Sequence, residues 1–73
     1  MEERELKERM LRENDEFRRI FEEHRGFELA LEALSRKPAP SEEDLLAERD
    51  LKKKKLALKD RMYLMMAEYH RAL

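Results

Sequence analysis

Six residues, Phe17, Ile20, His24, Phe27, Leu31 and Leu34, recur at steps of 3, 4, 3, 4 and 3. An a/d heptad seam of this kind, apolar at all positions but His24, marks a helix that packs along its length against another helix. A second seam, Leu51, Lys55, Leu58, Met62, Met65 and Tyr69, recurs at steps of 4, 3, 4, 3 and 4. Lys37-Pro38-Ala39-Pro40 divides them, because each proline disfavours helix at the residue before it. A connection this short makes the two helices antiparallel neighbours. The expected fold is all-α: an antiparallel two-helix, coiled-coil-like hairpin over residues 14–73, with helices at about 15–36 and 42–72 and a proline loop at 37–40.

The helix ends have their own signals. Asn14 and Asp15 are good N-cap residues for the first long helix, and Ser41 is one for the second. Glu42, Glu43 and Asp44 follow Ser41, where the helix dipole favours negative charge. Folding the chain about Pro38–Pro40 brings Phe27 to Leu51, Ile20 to Leu58, Phe17 to Met62 and Met10 toward Tyr69. His24 then falls opposite Lys55, so the two polar interruptions share a level. Carried backward, the register gives Glu3, Leu6, Met10 and Glu13, half of them polar. Residues 1–13 therefore read as a charged N-terminal extension, either a frayed continuation of the first helix or a short helix of its own.

Seventy-three residues make one domain, and a core of that size supplies at most about 3–5 kcal/mol. Disulfides and thiolate metal sites are excluded by the absence of Cys, which leaves association as the remedy. A flanking stripe supports it. Leu56, Tyr63, Met66 and Leu73 lie beside the second seam and Phe21 beside the first. Exposed apolar stripes mark interfaces, so Phe21, Leu56, Tyr63 and Met66 are the candidate interface, and a dimer closing into a four-helix bundle would bury them. The expected partner is a second copy or another helical protein.

Other classes find less support. The net charge is −1, whereas nucleic-acid binders carry a clear positive excess. Lys52-Lys53-Lys54-Lys55, with Lys59 and Arg61, is the basis for an alternative nucleic-acid-binding role. Four consecutive helical residues point in four directions, however, and no aromatic is interleaved for base stacking. His24, with Glu28 one turn on, is the basis for a metal-binding bundle. Carboxylate-bridged bundles place Glu three residues before His, and Phe21 and Ala67 stand at those positions here. No metal and no cofactor is therefore expected, and His24 reads as a polar seam residue that fixes register. Gly26 sits inside the first helix for either a close approach or a slight bend.

Catalysis has little to stand on. There is no Cys or Thr, the only serines are Ser35 and Ser41 at the helix ends, and no Gly-rich phosphate loop exists. No enzyme activity, catalytic residue or small-molecule substrate is expected. No stretch approaches the roughly 18 apolar residues of a membrane span. Met1-Glu2-Glu3-Arg4-Glu5 is too acidic for a signal peptide, so a cytoplasmic location is expected.

Two stretches carry a resemblance. Glu16-Phe17-Arg18-Arg19-Ile20-Phe21-Glu22-Glu23-His24 leads into Phe27-Glu28, and Leu51-Lys52-Lys53-Lys54-Lys55-Leu56-Ala57-Leu58-Lys59-Asp60-Arg61-Met62-Tyr63 follows in order and spacing. Over residues 15–66 the chain resembles the YdcH-like family of small bacterial proteins of unknown function. The resemblance implies a bacterial source and a helical hairpin, and it brings no activity, cofactor or partner. Lys54, where an acidic residue is common, and Gly26 depart from the family pattern.

Overall fold

Polar side chains at the two breaks set where the helices stop and start. In the computed structural model, which describes residues 1–73, the chain forms α1 (Glu3–Glu13), α2 (Asp15–Ser35) and α3 (Glu42–Ala72). Asn14 alone separates α1 from α2. Its backbone is extended (φ −119°, ψ 107°), and its N–H donates to the Met10 carbonyl at 2.8 Å. Its side-chain oxygen accepts from the Phe17 N–H at 3.0 Å. One residue thus satisfies the end of one helix and the start of the next.

At the proline break, Ser41 and Asp44 form a capping box. Ser41 Oγ accepts from the Asp44 N–H at 3.1 Å, and the Asp44 carboxylate accepts from the Ser41 N–H at 3.0 Å. Lys37 Nζ reaches across the turn to Asp44 at 2.8 Å. The Lys37 hydrogen bond first, and those from Ser41 second, pull the Asp44 carboxyl down to about 2.

The chain reverses at Asn14 as well as at the prolines. α1 folds back over the first half of α2 and the last half of α3, and the core forms where the three meet. Its members are Leu6, Met10, Phe17, Ile20, Met62 and Met66, with Phe17 fully enclosed. The Lys7 ammonium lies 5.0 Å from the Phe21 ring centre and the Arg9 guanidinium 5.8 Å from that of Tyr69. Tyr69 donates its hydroxyl hydrogen to Glu13 at 2.7 Å, which lowers the Glu13 pKa and raises that of Tyr69. These contacts pin α1 along its whole length.

The two-helix hairpin expected from the seams is therefore part of a three-helix fold. The register across residues 1–13 is weak because Glu3 and Glu13 occupy solvent-facing positions. Leu6 and Met10, one turn apart, are enough to bury one stripe of an 11-residue helix.

α2 and α3 pack antiparallel. Glu16 pairs with Arg61, and Glu28 with Lys55 at 3.6 Å, two and four residues away from the pairing that the seams give. The molecule measures 49 × 20 × 16 Å, its long axis set by the 31-residue α3, about 46 Å long. Along that axis burial is uneven. Phe17, Ile20 and Met62 are buried at the three-helix end, whereas His24, Phe27, Leu31, Leu34, Leu51, Leu58 and Met65 are half-buried. Near the prolines two helices have no third to close over them.

Gly26 is exposed on α2, and a Cβ there would meet nothing within 4 Å. No close approach within the chain requires glycine. Gly26→Ala should accordingly stabilise the protein by about 0.5–1 kcal/mol, seen as a rise of several degrees in the midpoint of thermal unfolding by circular dichroism. Phe17→Ala should cost about 3–5 kcal/mol, enough to abolish the cooperative melt. Phe27→Asp, at a half-buried position, should lower helicity less than Phe17→Ala does.

Candidate interaction surface

Helical periodicity places Leu45, Leu56 and Tyr63 on one flank of α3, spaced 11 and 7 residues apart. All three are exposed, Leu56 by 58% and Tyr63 by 50%. Leu46 and Leu64 are exposed on the outer side of the same helix, and Leu29 on α2. No element of the chain covers this apolar area.

The structure divides the four residues of the candidate interface. Leu56 and Tyr63 are open to solvent. Met66 is not: it is 6% exposed, sealed under α1 with Leu6. Phe21 is half-buried against the core, with Lys7 above its ring. Periodicity alone puts both on the exposed stripe, because it gives a residue's face but not whether a third helix covers that face. α1 does so here. The half-buried residues of the upper hairpin, Phe27, Leu31, Leu34 and Leu51, continue the apolar surface beyond the reach of α1.

His24 lies where the covered and open parts meet. Its Nδ1 is 3.6 Å from Glu28 Oε1, and its Nε2 is buried with no hydrogen-bond partner. Glu28 is shared with Arg25 at 3.8 Å and with Lys55 at 3.6 Å. No group of three or more His, Asp or Glu side chains is arranged to hold a metal ion. Burial lowers the His24 pKa from its ordinary 6.5, Glu28 opposes that, and Lys55, Lys59 and Lys7 reinforce it.

The lysines of α3 are spread around the helix. Lys52 pairs with Glu48 at 2.7 Å and Lys55 with Glu28, while Lys53, Lys54 and Lys59 are exposed. No helix is long and apolar enough to cross a membrane. Shallow recesses occur beside α1, one lined by Lys7, Phe21, His24, Glu28, Lys59 and Tyr63, and they bring no nucleophile, acid and base together.

A His with a folded pKa below 6.5 leaves stability undiminished above that pH and erodes it as the pH falls, because the unfolded chain takes up the proton first. His24→Leu should remove both this loss and the unsatisfied nitrogen. The expected result is a gain of about 1 kcal/mol at pH 8 and a larger one at pH 5, read from thermal midpoints at the two pH values.

No curated protein and no solved structure matches the chain. The family described as Protein of unknown function (DUF465) matches residues 17–66, from the first buried residue of α2 to the last of α3. The match takes in the hairpin and leaves α1 outside. The chain belongs to this family, which includes the YdcH-like small uncharacterised bacterial proteins.

Proposed function

We propose that this chain is a small non-enzymatic helical protein that works by association, pairing the open half of its hairpin with a second copy to close a four-helix bundle. One observation carries the reading. All six buried residues sit at the end that α1 covers, and the seam from Phe27 to Leu34, with Leu51 opposite, is left half-buried under nothing. A core of that size gives the isolated chain little stability, and burying the open seam adds to it.

Leu45 and Leu56 flank that seam on α3 and are exposed in the single chain, so they serve the association and not the fold. A second copy supplies an identical apolar flank across a two-fold axis, the commonest arrangement for a homo-oligomer.

Sedimentation equilibrium over a wide concentration range tests this. The wild-type chain should show a mass near twice 9.0 kDa. The double variant Leu45→Glu/Leu56→Glu should lose the upper interface, with its dissociation constant raised at least about 100-fold and its helicity retained. A wild-type chain that stays monomeric at every concentration would remove the reading.

A further inference from the structure

α3 carries a second apolar stripe on the side it turns away from α2. At about 100° per residue, Leu45, Leu46, Leu56, Tyr63 and Leu64 fall within about 100° of arc. The packed residues Leu51, Leu58, Met62, Met65 and Tyr69 lie on the opposite side of the helix. The five outward residues are between 50% and 66% exposed, and they are five of the eight large apolar side chains left in water. The exposed apolar surface of the chain is therefore concentrated on one helix face.

Cations accompany the stripe. Arg49, Lys53 and Arg71 stand within the same arc, and Lys52 and Lys59 along one edge of it. Of these five only Lys52 is ion-paired, with Glu48 at 2.7 Å. Glu42 and Asp60 are the carboxylates within the arc, so five positive charges stand against two negative ones. The net charge of −1 hides this separation: residues 49–61 alone hold seven Lys and Arg against Asp50 and Asp60. A basic helix face with an apolar line along it suits an anionic, partly apolar surface.

We propose that this outward face of α3 lies on an anionic lipid bilayer, with its leucines and Tyr63 among the headgroups and its lysines and arginines against the lipid phosphates. The spacing favours a bilayer over a protein partner. A protein interface gathers its apolar anchors into one sealed cluster. Here they are strung out along the helix, about 15 Å from Leu46 to Leu56 and about 10 Å from Leu56 to Tyr63, with cations between. A bilayer takes such side chains one at a time, and Lys and Arg stems lie along its apolar boundary while their heads stay in the headgroup layer. Tyr63 suits the same boundary, its ring inward and its hydroxyl among polar groups. No helix of the chain is apolar enough to cross the membrane, so α3 rests in its plane with α2 on the side away from lipid.

Self-association is not required for this contact. Lys53 and Leu64 lie away from the open seam, whereas Leu45 and Leu56 border it, so a bilayer and a second copy compete for those two leucines.

Co-sedimentation of the full chain with vesicles tests the contact. Vesicles of equal parts phosphatidylglycerol and phosphatidylcholine should bind the chain at about 0.1 M salt and release it at about 1 M. Vesicles of phosphatidylcholine alone should bind it at least about tenfold less. Lys53→Glu and Leu64→Glu, made singly, should each weaken binding at least about tenfold, with helicity and mass in solution unchanged. Lys54→Glu makes the same change of charge outside the arc and should weaken binding no more than about threefold. Four results would overturn the assignment: no binding to the anionic vesicles, equal binding to the neutral ones, a Leu64→Glu chain that binds as the wild type does, or equal losses from Lys53→Glu and Lys54→Glu. A chain that ignores the vesicles and binds a DNA duplex at the same salt would give the cations to nucleic acid instead. A chain found monomeric in solution would remove the four-helix bundle and leave vesicle binding as the measure of this face.

Discussion

Everything in this fold depends on Leu6 and Met10 reaching Met62 and Met66. Without α1, the lower half of the hairpin would be as open as the upper half, and no side chain in it would be sealed from water. With α1 in place, Phe17 is enclosed completely and the six-residue core exists. The position of α1 depends in turn on Asn14, whose N–H and side chain end one helix and begin the next. Lys7 over Phe21 and Tyr69 to Glu13 add orientation to what burial supplies. Surface ion pairs such as Glu28–Lys55 contribute well under about 1 kcal/mol each and set register more than stability.

The helical class and the break at Pro38–Pro40 were legible because the two seams are long and their phase does not slip. Ser41 and Asn14 were readable as caps from residue type alone. The third helix was not, for a physical reason: two apolar residues in 13 make too weak a stripe to distinguish a docked helix from a frayed one. Its docking comes from tertiary contact with Phe17, Met62 and Met66, which no local pattern records. Met66 and Phe21 were misplaced for the same reason. Periodicity assigned them to a flank, and the flank is covered by the one element the sequence left open. Leu56, a little farther along α3, lies beyond the reach of α1 and stays exposed.

His24 shows how a seam can tolerate a polar residue. It sits at the boundary between the three-helix and two-helix parts, near enough to the core to lose solvent at Nε2 and near enough to the edge for Glu28 to reach Nδ1. A Leu there would pack better but would leave Glu28 facing Arg25 and Lys55 without its third neighbour. The cluster of one carboxylate among a His, an Arg and a Lys accounts for a charged Glu28 standing half-buried beside Phe27.

The core is assembled from the two ends of the chain. Four of its six members lie within the first twenty residues and the other two at positions 62 and 66. During synthesis α1 and α2 are complete long before Met62 is added, and until then they have only each other to pack against. No shorter stretch of this chain holds the fully buried core, so only the half-buried seam near the prolines can form before Met62 is in place. Ile20 and Met62 are more than forty residues apart in the chain, but the half-buried seam from Phe27 to Leu51 pairs from the proline turn and brings them together in shorter steps. Until α3 closes over it, the Leu6 to Ile20 stripe is exposed to whatever other chain is nearby.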